Sequence, residues 1–463
     1  MNLNGGGNKH TRKRKSVHKT NTHKSLHVNG FINERNNGWV NITVFGEPYE
    51  RGFASGYLLH KDLTRVIESL HFLVKHELEI SMRKFINISN KQIKPVLCRK
   101  FPEYYNEIRG ISAGAKKQGV NISIDMLIAW NSYMSLTSYI TDLSDLKCSA
   151  FIATGNATEK GDIIMSHNTH TNFVDGQLHN IIMNVIPSDG HEFVMQTSAG
   201  CIASGTDWFI CSTGIIGCET TIGDTNYDPK FGTPYFCRIR EAMQYGKTLD
   251  DYSRIMTTDN AGDYACSWLF GDINSNEIML CEIGLKCKNI RRTKNGVFYG
   301  MNSAIDEKLR KTETTDMDFN NISTSSGARN YRLNELLNGE YKGKINIENS
   351  KKIIADHYDT RLRRTEMNRR SICSHCEHDI EVSRYDPFEL YGCTDAKVVN
   401  SAMAKTLTFH GRFGSGCGRK FNIKKHIRLH PEFKPWEKVV RDFIPYNWGI
   451  VNNRRRKIPD NVK

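Results

Sequence analysis

Apolar residues at Val66, Ile67, Leu70, Leu73 and Val74 recur three and four positions apart, with charged residues between them. That spacing is the stripe of a helix lying against a core. A second helix is expected over Glu103–Lys117 and a third over about Ile124–Ser135. Gly110 and Gly114, four apart in the second helix, leave one face without side chains and require another backbone to approach closely. From Gly30 to about Lys147 the pattern is thus mostly helical.

After Cys148 the period shortens to runs rich in Ile, Val, Phe and Thr, divided by Gly, Asn, Asp and Pro. Strands are expected over Ser149–Thr154, Asp162–Ser166, Ile181–Ile186, Glu192–Thr197, Trp208–Ser212 and Ile216–Ile222. A helix over Cys237–Tyr245 follows, then strands over Ser267–Asp272, Glu277–Leu285 and Val297–Met301, and a helix from Asn330 to Leu337. Blocks of helices and blocks of strands, without strict βαβ alternation, predict an α+β layered fold with antiparallel sheets.

With 463 residues, 38% of them hydrophobic, the chain can bury a large core, and no run of 18 apolar residues points to a membrane span. The net charge of +14 suggests a nucleic-acid partner until it is divided along the chain. Residues 1–30 hold +7 and residues 454–463 hold +4, which leaves only +3 for residues 31–453. The N-terminal tail is expected to be disordered and solvated, and both basic tails offer a peripheral contact to anionic membrane surfaces with no nucleic acid required. Nothing before Trp39 supplies the apolar segment of a signal peptide. Thirteen cysteines fit six bridges and one free thiol, and equally fit thirteen reduced thiols.

Cys148 stands where the helical part gives way to the first strand of the series, in Leu146-Lys147-Cys148-Ser149-Ala150-Phe151. A hairpin returning through Gly155 and Gly161 would bring Ser166-His167-Asn168-Thr169-His170 back beside it. A thiol with imidazoles close by is the minimum for an activated cysteine nucleophile, because a positive neighbour lowers the thiol pKa. Taken singly, each of these residues is as readily a structural one.

The Cys-Ser-Ala-Phe strand start, the Ser-His-Asn-Thr-His return, Glu219-Thr220-Thr221-Ile222-Gly223 and Asp395-Ala396-Lys397-Val398 resemble the phospholipase B-like family, whose lysosomal members are also called lamina ancestor-like proteins. More distantly, Gly46–Gly56, Glu107–Ala115 and Ser326-Gly327-Ala328-Arg329 resemble the penicillin acyltransferase-type peptidases. Both groups are N-terminal nucleophile hydrolases. The resemblance implies a four-layer αββα sandwich, made as a precursor that cuts itself before the nucleophile, here at Lys147-Cys148. It divides the chain into a helical segment 31–147 and a hydrolase core 148–453, which would stay associated after the cut. Once cut, Cys148 would carry both a thiol and a free α-amine, whose ordinary pKa near 8 suits a general base.

Residue by residue, the resemblance makes His167 and His170 the positions that line the nucleophile. His170 departs from the pattern, since lysosomal relatives tend to have Trp there and acyltransferase relatives Asp. It gives Thr221, or its neighbour Thr220, a share in holding the oxyanion. It makes Asn302 the donor whose side-chain N–H faces the tetrahedral intermediate, and Arg329 the permanent charge that favours the thiolate. No cofactor is implied.

Cys373-Ser374-His375-Cys376-Glu377-His378, with Cys393 and Cys417 later, has the CxxC core of a zinc site but no matching second pair. The resemblance instead implies a Cys373–Cys376 disulfide and no metal. The glycine-rich Gly411–Gly418 segment lacks the Lys-Ser/Thr ending of a phosphate loop.

For function, the resemblance implies release of fatty acids from glycerophospholipids, in a secreted or lysosomal setting. The acyltransferase-type relatives imply the same core acting on amides, since a thiolate with an oxyanion hole attacks both. A non-enzymatic basic virion or structural protein is disfavoured, because the charge lies in the tails and the nucleophile-type motifs lie between them.

Overall fold

The computed structural model describes residues 1, 27–140, 147–230, 232–315, 318–381, 386–444 and 446–452. Most of the two expected tails therefore lies outside the described residues. The strands in chain order are β1 (Gly30–Asn36), β2 (Trp39–Gly46), β3 (Lys147–Gly155), β4 (Gly161–Asn172), β5 (Ile181–Pro187) and β6 (Phe193–Thr197). They continue as β7 (Trp208–Cys211), β8 (Ile215–Thr221), β9 (Cys266–Asp272), β10 (Glu277–Ile283), β11 (Lys288–Thr293) and β12 (Gly296–Gly300). Last come β13 (Tyr358–Asp359), β14 (Arg364–Thr365), β15 (Tyr391–Asn400), β16 (Phe409–Phe413) and β17 (Gly449–Val451).

The fold is mixed α+β. One nine-stranded sheet runs β1-β2-β5-β6-β7-β8-β9-β10-β11, and a six-stranded sheet runs β12-β3-β4-β15-β16-β17. Pairing is antiparallel as expected, except that β2 runs parallel to β5. Residues 31–147 are mostly helical, and that junction shows that they also contribute strands to the large sheet. Residues 30–46 are a hairpin, β1 with β2, built into the large sheet. Val40, Ile42 and Val44 alternate along β2 as a strand requires, but their short run is masked in the sequence by the long helical stretch that follows.

Alternation along each strand decides where the core sits. Ala150 and Ile152 of β3 meet Ile216, Cys218 and Leu269 of the large sheet in one apolar cluster between the sheets. Phe151 and Ala153 point the other way, into a cluster with Leu333 of helix Ser325–Glu335 and Ile353 and Ile354 of helix Ile347–Ile354. On the outer face of the large sheet, helix His60–His76 buries Val66, Leu70 and Val74. No helix among the described residues is long and apolar enough to cross a membrane.

Gly110 and Gly114 do meet another backbone. A Cβ on Gly110 would lie 2.2 Å from the Tyr49 carbonyl oxygen, and one on Gly114 would lie 2.1 Å from that of Phe53. Gly52 and Gly56 on helix Pro48–Leu58 are in the same position against Glu107 and Ile111, at 2.0 Å each. The two helices interlock through four glycines. Beside this seam the buried Glu107 carboxylate binds both Arg51, at 2.7 Å, and Arg240, at 2.8 Å. Burying that charge is tolerable only because it is paired twice.

Candidate active site

The hairpin expected around Cys148 forms. β3 and β4 pair with Cys148 opposite Thr169 and Ala150 opposite His167. Directly paired residues share a face, so Cys148, Thr169 and His167 all point between the sheets, towards β8. His167 reaches across to the carbonyl of Glu219, 3.0 Å from Nε2. Burial holds its pKa well below the ordinary imidazole value. His170, paired with Lys147, lines the same small cavity as Cys148, and its backbone hydrogen-bonds the thiol.

Cys148 is 7% exposed. Burial pushes its thiol pKa well up, the nearby Glu219 adds to the rise, and the His170 backbone pulls partly against it. The thiol therefore rests protonated and needs a base at the moment of attack.

Arg329 and Asn302 converge on the backbone of Cys148 rather than on its sulfur. The peptide N–H of Cys148 donates to Asn302 Oδ1 at 2.9 Å, and Arg329 Nη2 donates to the same oxygen at 2.9 Å. Arg329 Nη1 donates to the Cys148 carbonyl at 2.6 Å and to Ser149 Oγ at 3.1 Å. Strand parity explains this arrangement. Ser149 faces the helices, and fully buried Arg329 rises from helix Ser325–Glu335 on that face. The guanidinium therefore reaches the carbonyl of Cys148 while the thiol points away from it.

The Asn302 amide has the reverse orientation to the expected one. Two obligate donors converge on its oxygen, and its Nδ2 donates to the Thr221 carbonyl at 2.9 Å, so it is the oxygen that faces Cys148. Asn302 holds this pose at φ 75°, a left-handed conformation that asparagine tolerates better than most residues. Thr221 and Thr220 also separate. Thr221 lines the larger neighbouring cavity, its hydroxyl 2.5 Å from Tyr264 Oη, whereas Thr220 packs against Gly300 of the facing sheet.

Several groups around the nucleophile carry no signal in the spacing pattern alone. Lys397, buried between the sheets, donates to Thr169 at 3.0 Å, Gln196 at 2.8 Å and Asp395 at 2.5 Å. It sits beneath the strand pair that holds Cys148. Asp207 and Glu219 form a buried pair of carboxyls in contact. Burial pushes Asp207 up to about 6, and burial together with Asp207 raises Glu219 well above its usual range. His179 bridges Asp175 at 3.1 Å and Ser198 at 2.8 Å. Burial draws the His179 pKa down, but the Asp175 carboxylate more than reverses it. Glu219, directly after the apolar run Ile215–Cys218, is the trace that the carboxyl pair leaves in the sequence.

Two cavities adjoin here, of about 50 Å³ beside Cys148 and about 140 Å³ beyond it, both lined by Tyr133, Met134, Asp175 and Tyr264. The larger is further lined by Glu77, Asp228 and Glu389, and among the described residues no lysine or arginine lines either one.

The expected Cys373–Cys376 disulfide does not form. Cys373 turns instead towards His357, His375 and Cys417. The group takes Cys373 and His375 rather than the CxxC pair, and its other half is one cysteine and one histidine from two distant segments, which form no motif in the sequence.

No family model matches the chain. An uncharacterised protein of Archaeoglobus fulgidus is 22% identical over 256 residues, covering 52% of this chain. The match spans only 42% of that relative's length. Among solved structures, two forms of the conjugated bile acid hydrolase of Clostridium perfringens are similar: a cysteine-to-alanine mutant and an arginine-to-leucine variant. They align with TM-scores of 0.31 and 0.29 at 7% and 8% identity, covering 57% and 59% of this chain and 89% and 83% of theirs. Scores this low establish no common fold.

Proposed function

We propose that this protein is a self-processing cysteine hydrolase of the N-terminal nucleophile type, its two facing sheets and outer helices forming a four-layer αββα sandwich. The observation that carries the reading is the clamp on the Cys148 backbone: Asn302 holds the nitrogen and Arg329 holds the carbonyl. That clamp gives no evident advantage to an ordinary buried cysteine, but it aims the amine that appears when the Lys147-Cys148 bond opens.

In maturation the Cys148 sulfur attacks the Lys147 carbonyl carbon, the C–N bond breaks, and the nitrogen takes the thiol proton. Water then hydrolyses the thioester. In turnover the freed amine accepts the thiol proton as sulfur attacks the substrate acyl carbon. The leaving nitrogen or oxygen receives that proton, and water releases the acid from the acyl-enzyme. Because burial keeps the thiol protonated, a base within the same residue meets the need directly.

The substrate that suits the cavities is a small amide. Volumes of about 50 and 140 Å³ lie below the roughly 300–1,000 Å³ of drug-sized ligand sites, and a diacyl lipid needs more room still. The carboxylate-rich lining repels a phosphate and favours a neutral or cationic group. Deacylation of glycerophospholipids is the second reading, resting on the sequence resemblance.

The test is the intact mass and N-terminal sequence of the purified protein. Fragments of 147 and 316 residues that remain associated are expected, with Cys148→Ala giving one uncut chain. If that variant still splits at the same bond, an external protease makes the cut and the reading fails. Rates on matched short-chain amides, esters and phospholipid vesicles separate the two substrate classes.

A further inference from the structure

His357, Cys373, His375 and Cys417 come together from three separate stretches of chain, and one ligand atom from each lies within 4.8 Å of all the others. His357 follows helix Ile347–Ile354, Cys373 and His375 lie in the loop before β15, and Cys417 lies in the glycine-rich loop after β16. We propose that these four residues bind one structural zinc ion in a closed Cys2His2 tetrahedron.

The distances fit that ion. With Zn–S of about 2.3 Å and Zn–N of about 2.0–2.1 Å, a tetrahedral site has sulfur-to-nitrogen edges of about 3.6 Å. Here Cys373 Sγ and Cys417 Sγ lie 3.5 and 3.4 Å from the same His375 Nε2. The ring of His375 is fixed from behind, with Nδ1 2.8 Å from the Glu377 carboxylate. A carboxylate on the far nitrogen selects the tautomer whose Nε2 lone pair faces the cluster, the usual support of a zinc-bound histidine. His357 Nε2 is buried without a hydrogen-bond partner, a vacancy in bonding that a metal would satisfy. Two thiolates, two imidazoles and no open position are the donor set of a structural site.

Cys376 and Cys393 stand outside the group. The sulfur of Cys393 is engaged by the Gly416 N–H at 3.3 Å, which holds the Cys417 loop in place. The zinc would join that loop to the one carrying Cys373, which in turn supports the nucleophile. Ile372 accepts from Asn168 Nδ2 at 3.2 Å, and Asn168 Oδ1 accepts from the Ser149 N–H at 3.2 Å. The Arg369 carbonyl accepts from Ser325 Oγ at 2.6 Å, next to Arg329. The ion thus fastens a loop on which the clamp around Cys148 leans, with no part in the chemistry.

The test is elemental analysis of the full chain purified under reducing conditions without chelator. One zinc per chain is expected, retained in Cys376→Ser and lost in Cys373→Ser and Cys417→Ser. Cobalt(II) added to wild-type protein stripped of metal should give an intense sulfur-to-cobalt charge-transfer band, a readout that does not depend on any variant folding. No bound zinc together with no cobalt–thiolate band overturns the proposal. So does loss of zinc in Cys376→Ser equal to that in Cys373→Ser, or a Cys373–Cys417 disulfide found by mass spectrometry in the reduced preparation.

Discussion

Asn302 Oδ1 accepts from the backbone nitrogen of Cys148 at 2.9 Å while its Nδ2 donates to the Thr221 carbonyl, so one amide ties the nucleophile strand to the facing sheet. In the proposed mechanism that nitrogen is the general base. Asn302 is therefore a positioning residue for the amine, and the oxyanion donor has to be sought elsewhere.

Asn302→Gly tests this without straining the backbone, because glycine adopts φ 75° freely. The expected result is a fall in kcat on the order of 100-fold, the scale of misplacing a reacting group by about 1 Å. The melting temperature should move by a few degrees at most. Normal kcat with a large thermal shift would make the residue purely structural.

The Asp207–Glu219 pair sets a pH dependence of stability. The Asp207 carboxyl titrates near 3.8 when free and is pushed up to about 6 in the fold, so between these values the folded chain binds more protons than the unfolded one. Stability contributed by the neutral pair is then full at low pH and declines as pH rises from about 4 through about 6. Asp207→Asn removes one of the two titrating carboxyls, and asparagine accepts the positive φ of 54° at that position. Melting temperatures measured across this range should decline less in the variant. An unchanged slope would mean that the pair does not share its charge as described.

The four-glycine seam predicts a stability defect far from the chemistry. Gly56→Ala places a methyl group 2.0 Å from the Ile111 carbonyl oxygen, and the two helices must separate to admit it. A loss of about 1–3 kcal/mol in denaturant unfolding is expected, as for other overpacked sites. Gly339→Ala, where nothing lies within 4 Å of the added carbon, should stay within about 0.5 kcal/mol of wild type. Equal effects from both would show that the helices adapt without strain.

By itself, the order of residues determined the elements whose pattern is local. The stripe from Val66 to Val74, the strands after Cys148 and the demand of Gly110 and Gly114 for a close backbone can all be read from spacing, because helix and strand periods are set by neighbouring residues. The placing of Cys148 opposite a His-rich return strand belongs with these, since a hairpin turn fixes its own register. The tertiary structure alone decided what strand parity and distant pairing control. Arg329 reaches the carbonyl of Cys148 rather than its thiol because Ser149, not Cys148, faces its helix. The β1–β2 hairpin joins the large sheet through a parallel pairing with β5, about 140 residues later in the chain. Cys373 finds Cys417 and His357 rather than Cys376, because ligand geometry depends on which loops meet in space. Two residues three apart in a sequence share a motif, but only packing determines whether their side chains point to the same place.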